Sequence, residues 1–207
     1  MSTDLRLDAA AVVLFGLFVA LGLRVSNRPL TRLDAEAIYF RGQLTPLALL
    51  FTRSGRSPAL TAACILALAI FALLRLPLGI PLLIAASQLV SQMLVEYAKM
   101  LFTRMRPDYW LVGREAGHSY PSGHATTAVV FFIGWAVVIA LGALPGGVKT
   151  ALIAILTVWS LGIVWSRLAL GAHYVTDVTG GVLFGGAWLC VLFTVSSHFY
   201  GILRIPG

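Results

Sequence analysis

The chain has 207 residues, of which 59% are hydrophobic and 11% charged, with a mean hydropathy of +0.91. That balance excludes an ordinary soluble domain, where charged residues make up about 25%, and indicates an all-α protein that crosses a bilayer repeatedly. The net charge of +7 does not mark a nucleic-acid binder, because thirteen of the fifteen basic residues are arginines set mostly between apolar runs, as bilayer anchors or phosphate ligands.

Hydropathy gives six spans, at Ala9–Val25, Pro58–Leu74, Leu76–Tyr97, Ala125–Leu144, Ala151–Ala169 and Val178–Ser197. The N-terminal stretch has a weak likeness to a signal peptide but lacks a small-x-small cleavage site, so an uncleaved anchor is expected. Between the first two spans, Arg28, Arg32, Arg41, Arg53 and Arg56 rule out a crossing. Thr31 with Asp34 reads as a helix start that places Leu33, Ala37 and Phe40 on one face. Thr45-Pro46 starts a second short helix, with Gly55 past its end. Both are expected to lie at the membrane surface as interfacial helices, a plain linker being the alternative. Spans two and three turn at Arg75 and Pro77, and spans four and five at "PGGVK". Cys64 and Cys190, each inside an apolar run, read as small core residues and not as a disulfide or metal pair. With no repeat or soluble insert in view, residues 1–207 read as one membrane-embedded domain.

Alternating spans bring three polar segments to one membrane face. In "KMLFTRMRP", Lys99 and Arg106 share a helix face if the helix runs on to Pro107, and Arg104 reads as a side chain snorkelling at the bilayer edge. Glu96 can pair with Lys99, or line a polar cleft with Gln88 and Gln92. In "YPSGHATT", Ser122 suits the N-cap of the fourth span, whose free N–H groups would favour an anion. Gly123 permits close approach and His124 lies in the first turn, although an ordinary cap has the same pattern. In "SRLALGAHYVTD", Gly171 separates Arg167 from His173. His173 and Asp177 stand i and i+4 on one helix face, where a carboxylate can accept the imidazole N–H and fix the other nitrogen toward a substrate. Two histidines, a carboxylate, three cations and a helix N-terminus fit phosphoryl transfer, with one imidazole attacking phosphorus and the other protonating the leaving oxygen. A metal site is the competing account, and Lys99, Arg106 and Arg167 oppose it by repelling a divalent ion.

These three motifs, in this order and among six spans, resemble the type-2 phosphatidic acid phosphatase superfamily and its bacterial membrane lipid phosphatases. The resemblance implies a metal-independent enzyme without cofactor that acts on a membrane lipid phosphate through a phosphohistidine. It implies His173 as nucleophile, Asp177 as its orienting partner and His124 as general acid, with Lys99, Arg106, Ser122, Gly123 and Arg167 holding the phosphate. Ser166 belongs to the pattern with no role beyond packing. Among the family's substrates, undecaprenyl diphosphate is the first expectation and phosphatidylglycerol phosphate the next, with phosphatidic acid, diacylglycerol diphosphate and lipid A phosphates behind them. A lipid phosphotransferase, a vanadium-dependent haloperoxidase and a non-catalytic lipid binder are the rival classes.

Sidedness carries a conflict. Only Arg6, Arg75, Lys149 and Arg204 fall opposite the motifs; the other eleven basic residues share the motif side, which the positive-inside rule would place in the cytoplasm. The resemblance implies a bacterial inner membrane with the site on the periplasmic or outer face. Phosphate-binding and interfacial arginines bias the count, so the resemblance is followed.

Overall fold

Hydrocarbon offers no partner for a backbone N–H or C=O, so each apolar run must satisfy its own peptide groups as helix. The computed structural model describes residues 3–26, 30–111 and 115–199, and no strand occurs among them. The elements are α1 (Thr3–Ser26), α2 (Arg32–Glu36), a 3-10 turn (Ala37–Phe40), α3 (Thr45–Ser54), α4 (Ser57–Leu73) and α5 (Gly79–Phe102), followed by α6 (Gly123–Thr127), a π-helical turn (Ala128–Ile133), α7 (Gly134–Leu141), α8 (Gly146–Ala169) and α9 (Val175–Phe199). Five stretches are long and apolar enough to cross a membrane, and α3 with α4, bent by 56° at their joint, makes a sixth. The protein is a multi-pass membrane protein. Of the charges in the sidedness count, Arg28, Arg114 and Arg204 lie outside the described residues.

The fourth span is not uniform α-helix. Between α6 and α7 the winding widens to π, and Ser160 on α8 donates to the Ala128 carbonyl (3.0 Å) where it changes. α1 packs along α9. Phe18, Phe102, Tyr120 and Phe184 gather in one buried cluster there, and the Tyr120 hydroxyl donates to the Phe18 carbonyl (2.6 Å). α9 also lies close to α6. A Cβ on Gly181 would stand 2.5 Å from the Ser122 carbonyl oxygen, so only glycine lets these backbones meet.

The segment between the first two spans holds the expected short helices. Thr31 and Asp34 form a capping box, with the Thr31 hydroxyl accepting from Asp34 N (3.1 Å) and the Asp34 carboxylate accepting from Thr31 N (3.3 Å). The inward face differs from the expected one: Asp34 and Ala37 are buried, whereas Leu33 and Phe40 are exposed. A buried ion pair, described below, sets that face in place of an apolar stripe. α3 starts at Thr45-Pro46, ends at Gly55 as expected, and packs on α8 through Ala48, Ala169 and Leu170.

Two boundaries move in ways that matter for the site. α5 stops at Phe102, where Thr103 turns left-handed (φ 47°), and not at Pro107. Lys99 therefore sits on helix and Arg106 on the strap that follows it. α9 starts at Val175, so His173 precedes the helix that carries Asp177. Gly171 makes that turn with φ 66°, and a Cβ there would stand 2.5 Å from the Tyr109 carbonyl oxygen.

Candidate active site

The three polar segments do meet. His124 and His173, with Lys99, Arg106, Glu96 and Glu115, line a cleft of about 410 Å³ between the α3–α4 joint, α5 and α6. A larger cavity of about 740 Å³ lies between α1, α5 and α9, but its lining is mostly apolar, carries no charged residue and includes none of the expected site residues.

His173 is buried at the end of this cleft. Its Nδ1 lies 3.4 Å from Asp177 Oδ2 and 3.3 Å from Ser119 Oγ, and its Nε2 lies 3.3 Å from Arg106 Nη1. A guanidinium can only donate, so the nitrogen facing Arg106 carries the lone pair and Nδ1 carries the hydrogen. Burial pushes the imidazole down to about 4 and Arg167 and Arg106 add to this, outweighing the opposing hydrogen bond and charge of Asp177. His173 is thus neutral near pH 7, with the lone pair of its Nε2 turned to Arg106.

Asp177 is held from four directions. Ser119 Oγ donates to Oδ2, Tyr174 N donates to Oδ2 (2.9 Å), Arg104 Nη1 donates to Oδ1 (2.5 Å), and Ser122 N reaches the Asp177 carbonyl (3.0 Å). The last bond pins the start of α6 to the first turn of α9. Arg104 corrects the sequence reading: it is not a snorkelling side chain but is 4% exposed and bridges Asp177 to Asp34 (2.8 Å). Asp34 also accepts from Thr176 N (3.0 Å) and Thr176 Oγ1 (2.7 Å), satisfying a free N–H at the start of α9. Tyr174 lies under the Arg104 guanidinium at 4.5 Å.

The expected phosphate ligands surround this core. Lys99 pairs with Glu96 (2.6 Å), as expected. A Cβ on Gly123 would stand 3.4 Å from Gln92 Oε1, 3.6 Å from Val95 Cγ1 and 3.8 Å from Lys99 Nζ, so that glycine faces α5. Ser122 occupies the N-cap position, but its hydroxyl makes no capping bond. Arg167 is 1% exposed, with Nη1 on Thr52 Oγ1 (2.6 Å) and Nη2 on Glu115 (2.9 Å). Ser166 has a clearer role than packing: its hydroxyl meets the same Thr52 oxygen (3.2 Å) and so helps to fix what Arg167 holds. Ser122 Oγ, His124 Nε2 and Arg167 Nε are shielded from solvent with no hydrogen-bond partner among the described residues.

Sequence reasoning missed Glu115, Ser119, Trp110 and Asp34 as parts of this arrangement. Glu115 bridges Arg167 and Arg106 (3.4 Å). Its burial alone would raise the carboxyl, but Arg167, with His124, His173 and Arg106, pulls it down to about 2. Trp110 lies beside both guanidiniums, 5.5 Å from Arg106 and 6.0 Å from Arg167. The only local hint was a lone acid in a basic loop. Among the described residues no three His, Cys, Asp or Glu side chains gather in a way that could hold a metal ion.

The PAP2 superfamily pattern matches residues 78–200, and the chain belongs to that superfamily. Over 94 residues it is 36% identical to phosphatidylglycerophosphatase B of Escherichia coli K12, covering 45% of this chain and 35% of that protein. Over 123 residues it is 33% identical to lipid A 1-phosphatase of Rhizobium etli, covering 55% of this chain and 48% of that protein. The matches thus span less than half the length of these curated relatives. The fold matches the crystal structure of a transmembrane PAP2-type phosphatidylglycerolphosphate phosphatase from Bacillus subtilis with a TM-score of 0.77 at 24% identity, over 91% of this chain and 96% of that one.

The buried pairing of Arg104 is testable by itself. Arg104→Met leaves Asp34 and Asp177 in the interior without a cation, and is expected to cost about 3–5 kcal/mol of stability. Thermal unfolding in detergent measures this, and a midpoint equal to that of the wild type would show that the bridge contributes nothing.

Proposed function

We propose that this chain is an integral membrane phosphatase of lipid phosphate esters, working through a phosphohistidine. The observation that carries the reading is a neutral His173, oriented by Asp177, whose Nε2 faces a cleft of cations next to the unpartnered Ser122 Oγ, His124 Nε2 and Arg167 Nε. In the proposed reaction Lys99, Arg106, Arg167 and the Ser122–Gly123 start of α6 hold the phosphoryl oxygens. His173 Nε2 attacks phosphorus and forms a P–N bond as the bond to the lipid oxygen breaks, and His124 gives that oxygen its proton. Water then attacks the phosphohistidine, with His124 taking the water's proton, and phosphate leaves.

The relatives described above are named for phosphatidylglycerol phosphate and lipid A phosphate. They support the phosphatidylglycerol phosphate expectation and lend none to undecaprenyl diphosphate. We place the whole of residues 1–207 in one unit in the bacterial cell membrane, with the cleft on the outer or periplasmic face.

His173→Ala should abolish phosphate release from every lipid phosphate. His124→Ala should cost most where the leaving group is a basic alkoxide, since general acid help is worth roughly 10²–10⁴-fold. A diphosphate departs as a phosphate monoester with a second pKa of about 6, and its cleavage should suffer far less. Single-turnover rates on phosphatidic acid and undecaprenyl diphosphate separate the cases; equal losses would make His124 a phosphate ligand only, and an active His173→Ala enzyme would refute the nucleophile.

The cations around the cleft already supply the positive charge a metal would bring. Activity is therefore expected to persist in excess chelator; a loss reversed by magnesium would point instead to a metal-activated water.

For sidedness, Glu115 is unsuited to labelling because it is tied to two arginines, but Ala116 next to it is exposed. In a background lacking Cys64 and Cys190, Ala116→Cys should react with an impermeant thiol reagent in intact cells. Reaction only after lysis would place the cleft in the cytoplasm, as the charge count has it.

A further inference from the structure

Asp177 is not alone at His173 Nδ1. Its Oδ2 stands 3.4 Å away, past the roughly 2.7–3.2 Å of an ordinary N–H···O bond, and it already accepts from Tyr174 N and Ser119 Oγ. Ser119 Oγ is the second oxygen at that nitrogen, 3.3 Å away and fully buried. A hydroxyl has a single hydrogen. Here it goes to the carboxylate, so toward the ring the Ser119 oxygen can only accept. Were that hydrogen turned to Nδ1 instead, Nε2 would carry the ring hydrogen and aim it at Arg106, which only donates. Nδ1–H is therefore shared between two oxygens that are bonded to each other, and both call for the same tautomer. The backbone fixes Ser119 in this place. Ser119 N donates to the Arg104 carbonyl (2.8 Å), and Ser122 N to the Asp177 carbonyl (3.0 Å), so the segment between is tied to the strap on one side and to α9 on the other.

We propose that Ser119 is a positioning residue for the nucleophile, accepting the hydrogen of His173 Nδ1 while giving its own to Asp177. The proposal rests on the phosphohistidine reading and adds to it a residue that lies outside the three motifs. In that reaction the Nε2 lone pair goes to phosphorus, and the electrons of the breaking bond leave with the lipid oxygen. The ring keeps its Nδ1 hydrogen and becomes cationic. Its hydrogen bond to Ser119 is then charge-assisted and stronger than in the resting enzyme. An interaction that strengthens toward the transition state acts on rate and not on binding. Contacts that are loose at rest and tighten with substrate are common for catalytic hydrogen bonds.

The test is Ser119→Ala in the full chain in detergent, on whichever of phosphatidylglycerol phosphate and undecaprenyl diphosphate the wild type cleaves. The single-turnover rate should fall roughly ten- to a hundredfold, the span of a lost hydrogen bond to a charged group. The inhibition constant of inorganic phosphate should not change, because Ser119 does not line the cleft. A general loosening of the segment would weaken phosphate as well, through Ser122 and Gly123. Ser119→Cys fills the same space with a thiol that donates and accepts weakly, and should lose rate alike. It decides if the alanine variant does not fold. An unchanged rate, a rate restored by the thiol, or a phosphate constant that worsens in step with the rate would overturn the proposal. Failure of both variants to fold would overturn it too, making Ser119 a folding residue. Each of these leaves the phosphohistidine reading intact. No phosphate release by the wild type from any lipid phosphate would instead sink that reading, and the proposal with it.

Discussion

A carboxylate moved out of water into a protein interior is untenable unless a cation and donors meet it there. Asp34 and Asp177 are both fully buried, and Arg104 lies between them. One cation for two carboxylates leaves acceptor capacity over, and Thr176, Tyr174 and Ser119 fill it with N–H and O–H groups. Each donor comes from a place the chain reaches separately: the start of α9 and the strap after α5. Asp34 brings in α2, which would otherwise lie loose on the surface. The capped helix, the strap and the last span are thus locked by charge compensation, added for the strap and the last span to the apolar contact through Tyr120 and Phe184. That is why the polar face of α2 turns inward.

The same carboxylate, Asp177, stands beside His173. A bare carboxylate 3.4 Å from an imidazole would favour the protonated ring, which has no lone pair to offer phosphorus. Burial, with Arg167 and Arg106, outweighs that carboxylate and drives the imidazole to about 4. Asp177 keeps its geometric effect, holding the hydrogen on Nδ1 and the lone pair on Nε2, without protonating the ring. Orientation comes from Asp177, and the low basicity from burial and the two arginines.

This division explains what the sequence could and could not reveal. Spans are written locally, in runs of hydropathy, and all six were legible, as were the Thr31–Asp34 cap and the stop at Gly55. The candidate site residues could be picked out because their types and short spacings, His173 with Asp177 and Ser122-Gly123-His124, carry chemistry in themselves. Arg104 was misread because its partners stand 70 and 73 residues away, and an arginine near an apolar run looks the same whether it snorkels or pairs. The stop of α5 at Phe102 was hidden too: Pro107 offered a louder signal than a threonine in left-handed conformation. Ser119 and Glu115 matter through position in the folded loop, which no local period encodes.

Glu115 adds a constraint on turnover. Three cations around one small cleft would, left to themselves, bind phosphate tightly and keep it, and in the proposed reaction phosphate is the product. Glu115 already occupies Arg167 Nη2 and approaches Arg106, and its depressed pKa keeps it ionised throughout the neutral range. An arriving phosphoryl group must share these donors with a fixed carboxylate or displace it, and like charges at that range repel. Free phosphate bears the full cost of that competition. A lipid phosphate would offset part of it through its apolar chains. In the proposed reaction Glu115 would therefore oppose a spent product more than a substrate.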